Sequence, residues 1–330
     1  MATFYRKNKR KRKIRVVIIV ICSIFVLLIV LLGFISANFY KTAMISDREI
    51  ATYEDKSQYS KYTVFKEDVD LEERMINSND KNIEKWTTLN NSGLVLVGYA
   101  HKQTIESNGW VIVVHGYDKS SIDMNDYSNI FFEKGYNVLT VDNEYHGESE
   151  GTHITMGMED SLNIVEWAWK VVNEDPEAKI MLFGLSMGAS TVMMASDPEL
   201  SLPANVKAVI EDCGYTSMKD IFTYQLNYDY GFPSFPIIPA VNLYNKIVNG
   251  YFFNDRSPIE AVSNTSLPML FIHGSEDDYV PFYMGEELYN AHTGEKDYLV
   301  VESAGHADSL EVGGTLYKNK IYDFLSKYMN

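Results

Sequence analysis

The sequence is short of cysteine. There are two, Cys22 in an apolar run and Cys213 far downstream. No disulfide can close within the segment after residue 36, which must be held by its core alone. Cys213 reads as a small packed residue rather than a reactive thiol. A Gly-rich phosphate loop and a dinucleotide fingerprint are also missing. His146 and His153 lie near Glu144, Glu148 and Glu150. Their spacing matches no zinc-binding helix, and the stretch is rich in turn residues. No cofactor and no metal are therefore expected. Internal repeats and low-complexity tracts are lacking too.

Charge is unevenly spread. The chain of 330 residues has a formal net charge of −16. Residues 1–15 nevertheless hold eight Lys and Arg and no acid. Beyond them acids outnumber bases more than two to one, which argues against nucleic acid or another polyanion as partner. Val16 to Ile35 contains no charge at all. Twenty residues at about 1.5 Å each span roughly 30 Å, the hydrocarbon thickness of a bilayer. The run has no polar face, as a half-buried helix would, and exceeds the usual apolar stretch of a cleaved signal peptide. The expectation is an uncleaved transmembrane helix over 16–35. The positive-inside rule then places 1–15 in the cytoplasm and the rest outside the cell.

Residues 36–80 are polar and read as a juxtamembrane stalk. The chain enters a fold near Trp86, giving a domain over 81–330. Short apolar runs at 94–100, 110–115, 137–142, 179–183, 206–210, 268–273 and 298–302 read as strands. Helices are expected at 125–134, at 159–173 with Leu162, Val165, Trp169 and Val172 on one face, at 282–291, and at 317–328. Strands alternating with helices mean an α/β fold, a mostly parallel central sheet with helices on both faces. Residues 214–262 break the rhythm. They are too long for one crossover helix and rich in Tyr, Phe and Pro, so a short lid insert is expected there.

Gly184-Leu185-Ser186-Met187-Gly188 sits between an apolar strand and a helix. This is the context in which G-x-S-x-G forms a tight turn lifting a serine hydroxyl clear of a sheet. Ser186 is the candidate nucleophile. A serine hydroxyl needs a base within hydrogen-bond reach. His292 and His306 are the two histidines nearest the C-terminus. His292 ends a helix and reads as a surface residue, whereas His306 follows a strand in a Gly-containing loop and is preferred. Among the adjacent acids Glu276, Asp277 and Asp278, the residues alone do not choose.

These motifs resemble the α/β-hydrolase superfamily, in particular bacterial membrane-anchored esterase/lipase-like hydrolases related to the serine-aminopeptidase-like group. The resemblance covers about residues 90–328. His115-Gly116-Tyr117 resembles the loop after the third strand. Asp142–Gly151 resembles D-x-R-x-H-G-x-S-x-G, His273–Pro281 the acid loop, and Ala304-Gly305-His306 the histidine loop. The resemblance implies an α/β-hydrolase fold and a Ser186–Asp277–His306 triad. Asp277 is selected by its spacing to Val280-Pro281. Backbone N–H groups of Tyr117 and Met187 would form the oxyanion hole. Glu144 departs from the pattern, since Arg usually stands there. The implied activity is hydrolysis of a small-molecule ester or acyl substrate. A peptidase or amidase is the alternative, and a non-catalytic binding protein on this scaffold is a third reading.

Overall fold

The computed structural model describes residues 2–45 and 83–329, with side chains from residue 11 onward. The stalk expected over 36–80 lies mostly outside them, from residue 46 on. The first element, α1 (Ala2–Met44), is one continuous helix that does not stop where the apolar run ends at Ile35. It is long and apolar enough to cross a membrane, and none of its apolar window is buried among the described residues. Its last turns behave differently: Ser36, Tyr40 and Met44 are buried in the body of the protein.

That body is built on eight strands: β1 (Ile83–Leu89), β2 (Val95–His101), β3 (Gly109–Val114), β4 (Asn137–Val141), β5 (Lys179–Leu185), β6 (Val206–Asp212), β7 (Met269–Gly274) and β8 (Lys296–Val301). They form one sheet in the order β1-β2-β4-β3-β5-β6-β7-β8. The β1–β2 and β2–β4 pairs are antiparallel, and the other neighbours are parallel. The central strands are apolar at nearly every position because both faces are covered. Side chains alternate across the sheet. Ile112, Val114 and Leu182 pack on one side, and Val111, Val113 and Phe183 on the other.

The covering helices are α2 (Asn125–Phe132), α3 (Asp160–Glu174), α4 (Met187–Ala195), α5 (Met218–Tyr230), α6 (Ser234–Asn249), α7 (Pro258–Asn264), α8 (Phe282–Ala291) and α9 (Ser309–Tyr328). One apolar face is only partly the buried one, and one expectation about a side chain fails. In α3 the buried stripe is Ile164, Val165, Trp167, Ala168 and Val171, while Trp169 is 44% exposed. The apolar residues at 162, 165, 169 and 172 share a helical spacing, but the sheet selects the stripe centred on Trp167. His292 is no surface residue: it is 1% exposed, and its Nδ1 lies 2.9 Å from the Val262 carbonyl. The α8 C-terminus is pressed onto α7, a contact no local pattern encodes. The final helix begins at Ser309, earlier than the expected 317, with non-helical backbone at Gly314.

Residues 214–262 hold three helices. The last, α7, packs against α4 and α8 beside the sheet and serves as the crossover. The other two, α5 and α6, pack through Ile221, Phe222, Ile237 and Ile238 on Met156, Met187, Tyr215 and Val280. Those partners lie in segments that follow the C-terminal ends of strands. The end of α1 joins the same cluster, with Tyr40 Oη 3.1 Å from Asn249 Oδ1 and the Ile154 amide donating to the Met44 carbonyl at 2.8 Å.

Candidate active site

Ser186 stands between β5 and α4 at φ 56° and ψ −115°, a backbone conformation that L-residues rarely adopt. The turn is possible because its neighbours lack side chains. A Cβ on Gly184 would lie 2.2 Å from the Gly188 carbonyl oxygen, and one on Gly188 would lie 2.2 Å from that of Val114. Strand, helix and the end of β3 therefore touch backbone to backbone. The Ser186 amide donates to the Asp212 carbonyl at 2.8 Å, tying the turn to β6. The N-terminus of α4 opens at this residue, with backbone N–H groups that have no partner within the helix.

Ser186 Oγ lies 2.8 Å from His306 Nε2, and His306 Nδ1 lies 2.8 Å from Asp277 Oδ2. An ionised carboxylate only accepts, so Nδ1 carries the proton and Nε2 is left to accept from the serine. Of the three adjacent acids only Asp277 is buried, at 5% exposure. Its Oδ1 accepts from the backbone amides of Tyr279 and Val280 at 3.0 and 2.9 Å. Asp278 instead faces outward, beside the Tyr228 hydroxyl. Burial pushes the Asp277 carboxyl up, but bonds from His273 and His306 outweigh it and hold the group at about 2.

His273 is the residue that sequence reasoning left out of the site. Its Nε2 sits 2.9 Å from the Val280 carbonyl and 3.4 Å from Asp277 Oδ2. It lies near the end of β7, four residues before the acid. Burial lowers its affinity for a proton, while Asp277 and Glu211 more than restore it. Tyr279 places its ring 4.9 Å from that of His306. Two other histidines brace backbone: His115 Nδ1 lies 2.7 Å from the Gly116 carbonyl, and His146 Nδ1 3.0 Å from that of Glu144.

Gly116 abuts the serine: a Cβ there would touch Ser186 Cβ at 3.4 Å. Tyr117 and Met187 line the same cavity as Ser186. That cavity, about 1040 Å³, is walled by α5, α6 and, unexpectedly, α1. No sequence signal separates a lipid-facing apolar helix from one whose flank also lines a site.

The grouping of metal-ligand types found among the described residues is Cys213 with Asp277 and His306. It does not fit a metal. Burial holds the Cys213 thiol well above its ordinary pKa, and both His306 nitrogens are already engaged.

Glu144, where the resemblance led us to expect Arg, is buried near Asp160. Its amide donates to Asp160 Oδ1 at 2.8 Å, and its carboxyl accepts from Asn90 at 3.2 Å.

A family model described as "Serine aminopeptidase, S33" matches residues 105–217. The uncharacterized protein YqkD of Bacillus subtilis is 29% identical over 235 residues, 71% of this chain and 76% of that protein. The lysophosphatidylserine lipase ABHD12 of Rattus norvegicus is 30% identical over 162 residues, 47% of this chain but only 38% of that protein. Among solved structures, the esterase Pf2001 of Pyrococcus furiosus superposes with a TM-score of 0.61 at 20% identity, covering 75% of this chain and 93% of that one. Sheet order, serine turn and family match agree: the chain has the α/β-hydrolase fold, and the segment that carries its serine turn is similar to a family of serine hydrolases.

Proposed function

We propose that the protein is a membrane-anchored carboxylic-ester hydrolase working outside the cytoplasm through Ser186, His306 and Asp277. The observation that carries this is the unbroken hydrogen-bonded chain from Ser186 to Asp277, opening onto an apolar cavity. Ser186 Oγ attacks the acyl carbon while His306 Nε2 takes its proton. Asp277 keeps the imidazole in the required tautomer and stabilises the imidazolium. The backbone amides of Tyr117 and Met187 receive the developing oxyanion. His306 then protonates the departing alcohol, and water, activated by the same imidazole, releases the acid from Ser186.

Among the described residues lining the cavity, only Asp229 carries a charge. An apolar acyl group suits such walls better than a peptide with its polar backbone. The family description and the shared triad chemistry support a peptidase or amidase as the second reading. Helices α5 and α6 act as the lid, and α1 as the anchor with residues 1–15 inside the cell.

The test is labelling of the full chain by a fluorophosphonate probe, with Ser186→Ala as control, followed by turnover of p-nitrophenyl esters against aminoacyl amides. Labelling lost in Ser186→Ala with ester turnover dominant is the expected result. Dominant amide turnover would transfer the assignment to the peptidase. Protease added to intact cells should digest the hydrolase domain if the orientation is right.

A further inference from the structure

The cavity beside Ser186 does not end within the hydrolase domain. Along α1 its wall is made by Phe25, Leu28, Ile29, Leu32, Ile35 and Phe39. Steps of three and four residues place these side chains on one helical face. Phe25 to Phe39 spans roughly 21 Å at about 1.5 Å per residue. The portion from Phe25 to Ile35 lies within the charge-free run that is long enough to cross a bilayer. The other end lies near Ala43, where the Tyr117 hydroxyl donates to its carbonyl at 3.3 Å.

The facing wall comes from α5 and α6 and the turn between them, including Leu226, Phe232 and Ile237. The turn and the start of α6 show large apolar side chains outward, with Phe235 76% exposed and Phe232 more than half exposed. Such a patch suits contact with lipid rather than water. Phe232 belongs to the same cavity wall as Phe25–Ile35, so an α1 that spans the bilayer carries this patch to the depth of the hydrocarbon.

We propose that the anchor is itself part of the substrate site. A long acyl chain of a membrane-resident ester lies along the Phe25–Phe39 face of α1, between it and α5–α6, while its ester carbonyl reaches Ser186. The inference rests on the ester-hydrolase reading and names its substrate class: an acyl lipid taken laterally from the leaflet on the domain side. The energetics favour this route. A chain that leaves lipid through water is exposed at a cost of about 0.8 kcal/mol per methylene, whereas a chain sliding from lipid into an apolar groove stays out of water throughout. The groove therefore needs no tight binding, only shape and continuity.

The experiment uses the full chain in phosphatidylcholine vesicles, with 4-methylumbelliferyl butyrate and palmitate as probes. Leu32→Trp, which fills the groove within the membrane run, lowers the palmitate-to-butyrate ratio of turnover about tenfold or more. Val30→Trp, on the far side of α1, leaves both rates as they are. An unchanged ratio in Leu32→Trp, or an equal fall in Val30→Trp, overturns the proposal. Photo-crosslinking gives a readout independent of that variant's folding. In Ser186→Ala protein, a vesicle-borne palmitoyl ester with a diazirine at its chain end should crosslink to Phe25–Leu32. Crosslinks confined to the hydrolase domain overturn the proposal. If the wild type neither binds the fluorophosphonate nor cleaves butyrate, the ester-hydrolase reading fails first and takes this inference with it.

Discussion

The hydroxyl of Tyr117 donates to the carbonyl of Ala43 at 3.3 Å, joining the loop after β3 to the last turn of the N-terminal helix. In the proposed mechanism the same residue supplies a backbone N–H to the oxyanion, so one amino acid would link the N-terminal helix to the chemistry. Tyr117→Phe deletes the bond and keeps the ring and the amide. The expected cost is about 1 kcal/mol of stability, seen as a lower Tm of the full chain in detergent. Turnover of a short ester should stay within about threefold, since the amide is untouched. A hundredfold loss would mean that the helix end sets the geometry of the oxyanion site.

Asp277 is gripped on both oxygens, by two backbone amides and two imidazoles. Asp277→Asn should lower kcat about 10⁴-fold, because an amide favours the wrong imidazole tautomer. Asp278→Asn, whose side chain faces outward, should stay within about twofold of wild type. Steady-state kcat on p-nitrophenyl butyrate separates the two. The low pKa of Asp277 also has a sign. Its folded value of about 2 lies below the ordinary 3.8, so its stabilising contribution is present above that value and is lost as pH falls through about 2. Acid loss of activity above about pH 4 should therefore not track this carboxyl.

Much of this arrangement was legible in the sequence, for a physical reason. A strand buried on both faces must be apolar throughout, and a backbone-to-backbone crossing must be glycine. Val111–Val114 and Gly184/Gly188 thus advertise their places. Ser186 was legible because it follows such a strand, His306 because it stands in a Gly-containing loop after a strand, and Asp277 only through its spacing to Val280-Pro281. What stayed hidden depends on contacts between distant segments. Trp169 and Trp167 look alike in sequence, and only the position of the sheet buries one and exposes the other. His292 looked exposed because α7, which covers it, lies about thirty residues upstream. His273 joins the site only because the turn after β7 brings Asp277 beside it. The groove along α1 was the least legible feature, since apolar residues facing lipid and apolar residues facing substrate are the same residues.

Glu144 provides a test through pH. Burial, helped by the nearby Asp160 and Glu159, lifts its carboxyl to about 8 from an ordinary 4.5. The folded protein then holds this proton more tightly than the unfolded chain. The resulting stability is fully present below about pH 4.5 and is lost as pH rises through about 8. Glu144→Gln keeps the shape and cannot ionise. Between pH 5 and pH 9 the wild type should lose stability on the order of a few kcal/mol more than the variant. Urea denaturation at the two pH values measures the difference. Equal losses in both proteins would show that Glu144 is ionised and solvated in the folded state.

The serine turn should be the least forgiving point in the backbone. Ser186 holds a positive φ, and Gly188 lies so close to β3 that a methyl group would stand 2.2 Å from the Val114 carbonyl oxygen and 2.6 Å from that of His115. Neither obstacle can swing aside, because both are backbone atoms, one at the end of a fully buried strand and the other directly after it. Gly188→Ala must therefore move α4 away from β3 and carry the Ser186 hydroxyl with it. The expected stability cost is about 3 kcal/mol. Displacing the reacting oxygen by about 1 Å should slow ester turnover roughly a hundredfold in the protein that still folds. Gly135→Ala is the comparison, since its glycine also has a positive φ, 87°, yet a Cβ there meets nothing within 4 Å. That variant should lose about 1 kcal/mol of stability to backbone strain and keep its kcat. Thermal melts and kcat measured on both variants decide the matter: similar Tm losses with full activity in Gly188→Ala would mean that strand and helix do not meet through backbone at this turn.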